Sequence, residues 1–389
     1  MELVLCDRRK RPLTHLFAHL FAHLFAHLFA PSPFCRSSYA SFASRFMQQQ
    51  PHLVDLGMAR LEIFKTFCLP TMLGQSSNAF LWVIRTDPDL DASVRRGMME
   101  ALDNQANILL VGSNLNPEGW LREDLLDIDR SDVWSGSFDL LQHYHEAVKT
   151  RVYFESRLDA DDGLHTRFVH YVREKSHVQD SKSWLVWCVK THMEWQYQSP
   201  FEEGDPDDPH GYLVGVKYNG CVTPGLTMAY GTEVTRASLP PGRHTTLHET
   251  LPKCPSGPSH NNTDMTDNNK GTHHERQPMT NCLLRFDGLS PGAIRARTPT
   301  SAGMSNVVLD DKGIYSGAAA QARRQKELWE GVEHVFALDR TNAVTVRAHV
   351  QANLAAIARD NLLGQCTKGH SCKEAARRLL EKLSFGLNQ

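Results

Sequence analysis

Between about Ser41 and Lys190, apolar blocks of strand length alternate with longer stretches of helical period, and this alternation constrains the fold more than any other feature of the chain. A short continuous apolar run suits a strand buried on both faces, and a helical stretch between two such runs suits a crossover between parallel strands. Residues 41–47 read as a first strand and Ala59–Leu73 as a helix, with Pro70 marking its end or a kink because proline lacks the N–H a helix needs. Phe80–Ile84 and Ile108–Val111 read as buried strands on either side of a helix over Asp91–Leu102. Ser137–Val148 reads as a helix, Val152–Phe154 leads a fourth strand into Asp159, Gly163–Arg173 forms a helix and Trp184–Val189 a fifth strand. The expectation is an α/β, Rossmann-like fold whose mostly parallel sheet carries helices on both faces.

The flanking regions differ in composition. Residues 232–281 cluster Pro, Gly, Ser, Thr, Asn and His with almost no apolar period. Such a segment cannot bury enough apolar surface to offset ordering at ~1–2 kcal/mol per residue, so it reads as a disordered insertion. It carries a glycosylation sequon, Asn261-Asn262-Thr263, which matters only in a secreted chain, and a His273-His274 pair expected to bind nothing. Residues 282–317 return to strand-like runs, Cys282–Phe286 and Ile294–Arg297, and complete a core begun at 41–231. From 318 to 389, helical spacing of Ala, Arg, Lys, Glu and Leu predicts two or three amphipathic C-terminal helices.

Residues 1–40 read as a low-complexity segment outside the fold. Arg8-Arg9-Lys10-Arg11 precedes four tandem His-Leu-Phe-Ala repeats over residues 15–30. A basic flank before an apolar run resembles a signal anchor, which would imply a luminal, Golgi-type enzyme. The run is shorter than the ~20 residues that span a bilayer, and perfect repetition is equally the mark of simple-repeat expansion, which leaves a cytoplasmic location open.

A net charge of −2 gives no basic field for nucleic acid or acidic membranes and leaves a small molecule or a neutral glycan as partner. The nine cysteines are an odd number in a chain too long to need a disulfide framework. Cys68, Cys188 and Cys221 lie in apolar stretches and read as core residues, whereas Cys254, Cys282, Cys366 and Cys372 could pair in an oxidising compartment. Cys366–Cys372 lacks the four closely spaced ligands of a zinc site.

The informative motif is Arg157-Leu158-Asp159-Ala160-Asp161-Asp162-Gly163, where a predicted strand ends. Ligands of open α/β sheets bind at the carboxyl ends of strands. Hard cations such as Mn²⁺ or Mg²⁺ take carboxylate oxygens from protein and further oxygens from phosphate. Asp159, Asp161 and Asp162 can form that half-shell, with Arg157 beside them, and the chemistry it serves is stabilisation of a departing diphosphate. The alternative is that Asp161 or Asp162 caps the next helix. Asp87, at the end of the second strand, is placed for a nucleotide base or ribose, or for a turn before Pro88. His192 and Glu194 share a face of an extended segment and are candidates to take an acceptor proton, with Trp195 a candidate to stack on a sugar ring or to fill the core. The base could instead come from Asp205, Asp207 or Asp208.

The segments Ser44–Gln48, Ala59–Gln75, Phe80–Asp87 and Arg157–Leu164, resuming at Arg295–Met304, resemble a rhamnosyltransferase family of GT-A-like glycosyltransferases. The resemblance covers roughly residues 41–200. It implies a metal-dependent transfer of a sugar, rhamnose by the family's name, from a nucleotide-sugar donor to a glycan or other hydroxyl acceptor. It also implies that Asp159, Asp161 and Asp162 bind cation and donor phosphate, with Arg45 and Asp87 near the nucleotide. Two other readings remain: a sugar nucleotidyltransferase, disfavoured because 41–50 holds no glycine for a phosphate loop, and a non-catalytic sugar- or nucleotide-sugar-binding protein.

Overall fold

The computed structural model describes residues 39–103, 105–113, 127–175, 181–197, 209–217, 220–234, 247–254, 281–286, 288–298, 324–367 and 377. The chain is α/β. Its elements are β1 (Tyr39–Phe46), α1 (Val54–Ile63), a π-helical turn (Phe64–Cys68), α2 (Leu69–Leu73), β2 (Phe80–Thr86), α3 (Ala92–Ala101), β3 (Ile108–Gly112), β4 (Val133–Ser135), α4 (Phe138–Val148) and β5 (Tyr153–Arg157). There follow β6 (Asp162–Leu164), α5 (Phe168–Lys175), β7 (Trp184–Val189), β8 (Thr191–Gln196), β9 (Tyr212–Lys217), β10 (Leu226–Tyr230), α6 (Leu247–Thr250), β11 (Cys282–Phe286), β12 (Ala293–Arg297), α7 (Gln325–Phe336), α8 (Arg340–Ala352) and α9 (Leu354–Thr367).

The main sheet has eight strands in the order β11-β7-β10-β5-β1-β2-β3-β4. Every residue of β2 and of β3 is buried, as the apolar runs Phe80–Ile84 and Ile108–Val111 lead one to expect of strands covered on both faces, and β2 carries Arg85 and Thr86 into the interior with them. One face packs on Leu56 and Ala59 of α1, Val94 and Met98 of α3, and Phe168 and Val172 of α5. The other packs on Leu141, Tyr144 and Val148 of α4. Helix starts follow local chemistry: Asp91 accepts from Ser93 N at the head of α3, and Ser137 from Leu140 N at the head of α4.

A second sheet, ordered β6-β12-β8-β9, stands beside the first. Its apolar face (Met193, Trp195, Leu213, Ile294, Ala296) packs on Trp329, Val332 and Phe336 of α7 and Val346 and Val350 of α8. The Gln325 side chain closes the backbone of Leu213 in β9 by accepting from its N–H at 2.7 Å and donating to its carbonyl at 2.9 Å.

Several sequence expectations need correction. The main sheet is mixed, because β10 inserts antiparallel between β5 and β7, and β4 pairs antiparallel with β3. The helix expected over Gly163–Arg173 starts at Phe168; Asp162–Leu164 is instead a short strand pairing with β12. The helix at Ala59–Leu73 begins earlier, at Val54, and passes through a π turn before Pro70, which sits in the first turn of α2 where its missing N–H is tolerated. Cys68, Cys188 and Cys221 lie in the core as expected, but Cys188 and Cys221 are also joined by a disulfide; Cys254 pairs with Cys282, one of the pairings the sequence allowed, and Cys68 stays a buried free thiol. Among the described residues of 318–389 the chain forms three helices, α7, α8 and α9. Within 232–281, residues 232–234, 247–254 and 281 belong to the described fold, with Val234 and Leu247 buried in its core; the rest of that segment, like residues 1–38 with the tetrapeptide repeat, lies outside the described residues. No helix among the described residues is long and apolar enough to cross a membrane.

Candidate metal centre

The strand order creates a crevice. The chain winds from β1 to β2 to β3 in one direction, then returns to lay β5 on the opposite side of β1. Between the carboxyl ends of β1 and β5 the order reverses, and ligands of open α/β sheets bind at such a point. A cleft of about 250 Å³ opens there, lined by Arg45–Gln50, Arg60, Asp159–Asp162 and Arg295–Arg297.

Three of the expected residues meet in it. One carboxylate oxygen from each of Asp159, Asp161 and Asp162 lies within 4.8 Å of the other two. The loop that presents them is tightly fixed. Leu158 N donates to Ala43 O at 3.1 Å, Asp162 N to Asp159 O at 3.0 Å, Ala296 N to Asp161 O at 3.2 Å, and the Cys68 thiol to Asp159 O at 3.7 Å. Gly163 follows because nothing larger fits: a Cβ there would stand 2.7 Å from Phe67 O, 2.7 Å from Thr71 Cγ2 and 2.9 Å from Ile294 Cγ2. Burial raises the Asp159 carboxyl, Asp161 raises it further, and Arg295, Arg45 and the Thr223 hydroxyl pull it back. Asp162 is pushed well above the carboxylate range by burial and then by Asp161. It is 3% exposed, and its Oδ2 accepts no hydrogen bond among the described residues; Arg295 Nε stands 3.7 Å away, too far to donate. Crowded carboxylates with an unsatisfied buried oxygen are the donor set a hard divalent cation takes.

Guanidinium groups surround the triad. Arg60 reaches from α1, donating from Nη1 to Gln50 Oε1 at 3.0 Å and to Met47 Sδ at 3.3 Å; burial lowers its pKa and Asp161 opposes that. Arg295 and Arg297 project from the same face of β12, and Arg45 from the end of β1.

The remaining expected residues lie around this centre rather than in it. Asp87 is engaged in the backbone: its Oδ2 accepts from Gln49 N at 3.2 Å and its Oδ1 from Asp89 N at 3.0 Å, so it fixes the cleft's Met47–Gln50 wall. Arg157 is beside Glu155, Asp159 and Arg85 and does not line the cleft; burial lowers its pKa. Glu194 is 2% exposed and accepts from Arg297 Nε at 3.0 Å and Nη2 at 2.7 Å. Burial alone would raise its carboxyl, but the His192 hydrogen bond and the Arg297 charge bring it down to about 2, which makes it a poor base and a firm anchor for Arg297. Burial lowers the pKa of His192 and Glu194 opposes that; the ring's Nε2 donates to Glu194 Oε1 at 3.3 Å. Trp195 does not stack on a ligand: it is fully buried, packs against Phe67, and donates to His210 O at 2.8 Å. Asp205, Asp207 and Asp208 lie outside the described residues.

No protein-family model matches this chain, and no curated protein matches it in sequence. The sequence reading gave no role to Arg60, Thr223, Arg295 or Arg297. The period-two pair Arg295-x-Arg297 on a predicted strand was a usable signal, because two like charges on one face of a strand need a counter-charge facing them.

Proposed function

We propose that the chain is a metal-dependent glycosyltransferase with a GT-A type donor site, acting on a nucleotide-sugar. The observation that carries this reading is the three-carboxylate cluster with its unsatisfied Asp162 oxygen, ringed by arginines at the point where the strand order reverses. Asp159, Asp161 and Asp162 would hold Mn²⁺ or Mg²⁺, which when bound neutralises charge on a departing diphosphate. Arg45, Arg60 and Arg295 orient phosphate oxygens through planar, charge-assisted hydrogen bonds, while Glu194 fixes the direction of Arg297.

Charge supports the substrate class. With Arg297 matched by Glu194, the lining arginines Arg45, Arg60 and Arg295 balance the three aspartates in the ionised form that a bound cation would hold. A divalent cation then leaves two positive charges, which matches a diphosphate joined to a sugar at one end and a nucleoside at the other. The cleft of about 250 Å³ is below the ~300–1,000 Å³ of sites that enclose drug-sized ligands, so it suits the diphosphate and sugar with the base lying at the mouth. Rhamnose as the sugar rests on the family resemblance alone, and the acceptor is a glycan or another hydroxyl compound.

One observation favours a second reading, nucleotide-sugar binding without turnover. Among the described residues lining the cleft, no acid or imidazole outside the triad stands ready to take an acceptor proton. Incubating the full chain with UDP-, GDP- and dTDP-sugars and Mn²⁺ and measuring released nucleoside diphosphate separates the two. Release from one donor class, abolished by Asp162→Asn, is the expected result; tight donor binding with no release would favour the second reading.

A further inference from the structure

We infer that the C-terminal helix α9 is part of the cleft machinery, with Gly364 and Gln50 acting as positioning residues for the Arg60 guanidinium. The wall of the cleft at Met47–Gln50 is an unfavourable piece of backbone. Met47 and Gln49 both take left-handed conformations, with φ of 54° and 61°, which non-glycine residues hold only where their surroundings impose them. At the front, Asp87 imposes it by accepting from Gln49 N. Behind it, α9 packs against the residues that follow, Gln50 and Leu53.

Helix α1 begins without a cap of its own: Leu53 at its N-cap makes no side-chain hydrogen bond. Asp360 of α9, 5% exposed, supplies one in trans by accepting from Leu56 N at 3.3 Å, and Arg359 adds a 3.0 Å ion pair to Asp55. One turn further along the same face of α9 lies Gly364. A Cβ at Gly364 would stand 2.0 Å from Gln50 Nε2 and 3.0 Å from Leu53 Cδ1, so the glycine lets Gln50 lie flat against the helix. Gln50, 6% exposed, then presents Oε1 to Arg60 Nη1 at 3.0 Å. The chain of contact runs from α9 through Gln50 to Arg60, which faces Asp161 across the cleft.

Only the ligand in this inference rests on the proposed function; the positioning of Arg60 does not. Two measurements on the full chain therefore test it, with Gln50→Ala, Gly364→Ala and, as control, Gly331→Ala, where nothing lies within 4 Å of the added carbon. In protein labelled with ¹⁵N-arginine, the Arg60 side-chain signals of the wild type should show restricted rotation. That restriction should be lost in Gln50→Ala and Gly364→Ala and kept in Gly331→Ala. In titrations of GDP or UDP with Mn²⁺, each of the first two variants should weaken nucleotide affinity about tenfold, and the double variant should also be about tenfold weaker, not a hundredfold, because both act through Arg60. Gly364→Ala that lowers thermal stability yet leaves the Arg60 signals and nucleotide affinity as in the wild type would overturn the inference and make α9 simple packing. Wild-type protein that binds no nucleotide would sink the proposed function, and the Arg60 signals would still decide this point.

Discussion

Replacing Gly163 by alanine should separate a glycine kept for space from one kept for nothing structural. The added methyl would meet Phe67 O and Thr71 Cγ2 at 2.7 Å and Ile294 Cγ2 at 2.9 Å, on three elements that cannot all retreat. Phe67 O belongs to the backbone of the π turn, and Thr71 Oγ1 already accepts from Leu164 N at 3.2 Å, so shifting Thr71 also strains β6. Overpacking of this kind destabilises by ~1–3 kcal/mol, and the backbone contact argues for the upper half of that range. Gly331→Ala in α7 makes the same chemical change in open space and should stabilise by ~0.5–1 kcal/mol through helix propensity alone. Urea denaturation of the two full-length variants should therefore differ by ~2–4 kcal/mol with opposite signs relative to wild type. Because Gly163 directly follows Asp162, Gly163→Ala should also weaken Mn²⁺ binding. A Gly163→Ala protein as stable as wild type would refute the close packing behind the acidic loop.

Other consequences follow from the same geometry. Glu194, brought down to about 2 from an ordinary 4.5, binds its proton less readily when folded, so it contributes stability that is complete above pH ~5 and lost as pH falls towards 2. At ~1.36 kcal/mol per unit that contribution is about 3 kcal/mol, and Glu194→Gln should flatten this part of the stability profile measured by acid titration of unfolding. The Cys188–Cys221 disulfide closes a separation of 33 residues and braces the loop whose Thr223 hydroxyl reaches Asp159. Cys188→Ser with Cys221→Ser should destabilise by ~2–4 kcal/mol and weaken Mn²⁺ binding, whereas a drop in stability with unchanged cation affinity would uncouple that loop from the site. Two disulfides among the described residues also predict folding in an oxidising compartment; thiol alkylation of the chain taken directly from its source cells should find Cys188, Cys221, Cys254 and Cys282 blocked, and free thiols there would contradict it.

The parallel half of the main sheet was legible because Phe80–Ile84 and Ile108–Val111 are continuous apolar runs on either side of α3, a helix whose cap, Asp91, is visible in the sequence. What the sequence hid was pairing. Leu226–Tyr230 carries no mark that it inserts antiparallel between β5 and β7, and Asp162-Gly163-Leu164 is too short and polar to read as a strand until Arg295 and Ile294 pair with it. The acidic loop was readable because its position at a strand end and its density of carboxylates are local. The arginines around it are not local: Arg60, Arg295 and Arg297 converge from a helix and a strand more than two hundred residues apart, through tertiary packing alone. Glu194 and Trp195 show the limit in another way. Alternation placed Glu194 and Trp195 on opposite faces of β8, but only the packing of α7 and α8 made one face core and left the other for charge.

The most direct measurement is a calorimetric titration of the full chain with UDP, GDP and dTDP, with and without Mn²⁺, beside the Asp159→Asn, Asp161→Asn double variant. The account predicts cation-dependent binding of one nucleoside diphosphate, lost in the double variant while its fold stays intact. A folded wild-type chain that binds no nucleotide in the presence of Mn²⁺, or a double variant that binds as well as wild type, would contradict it.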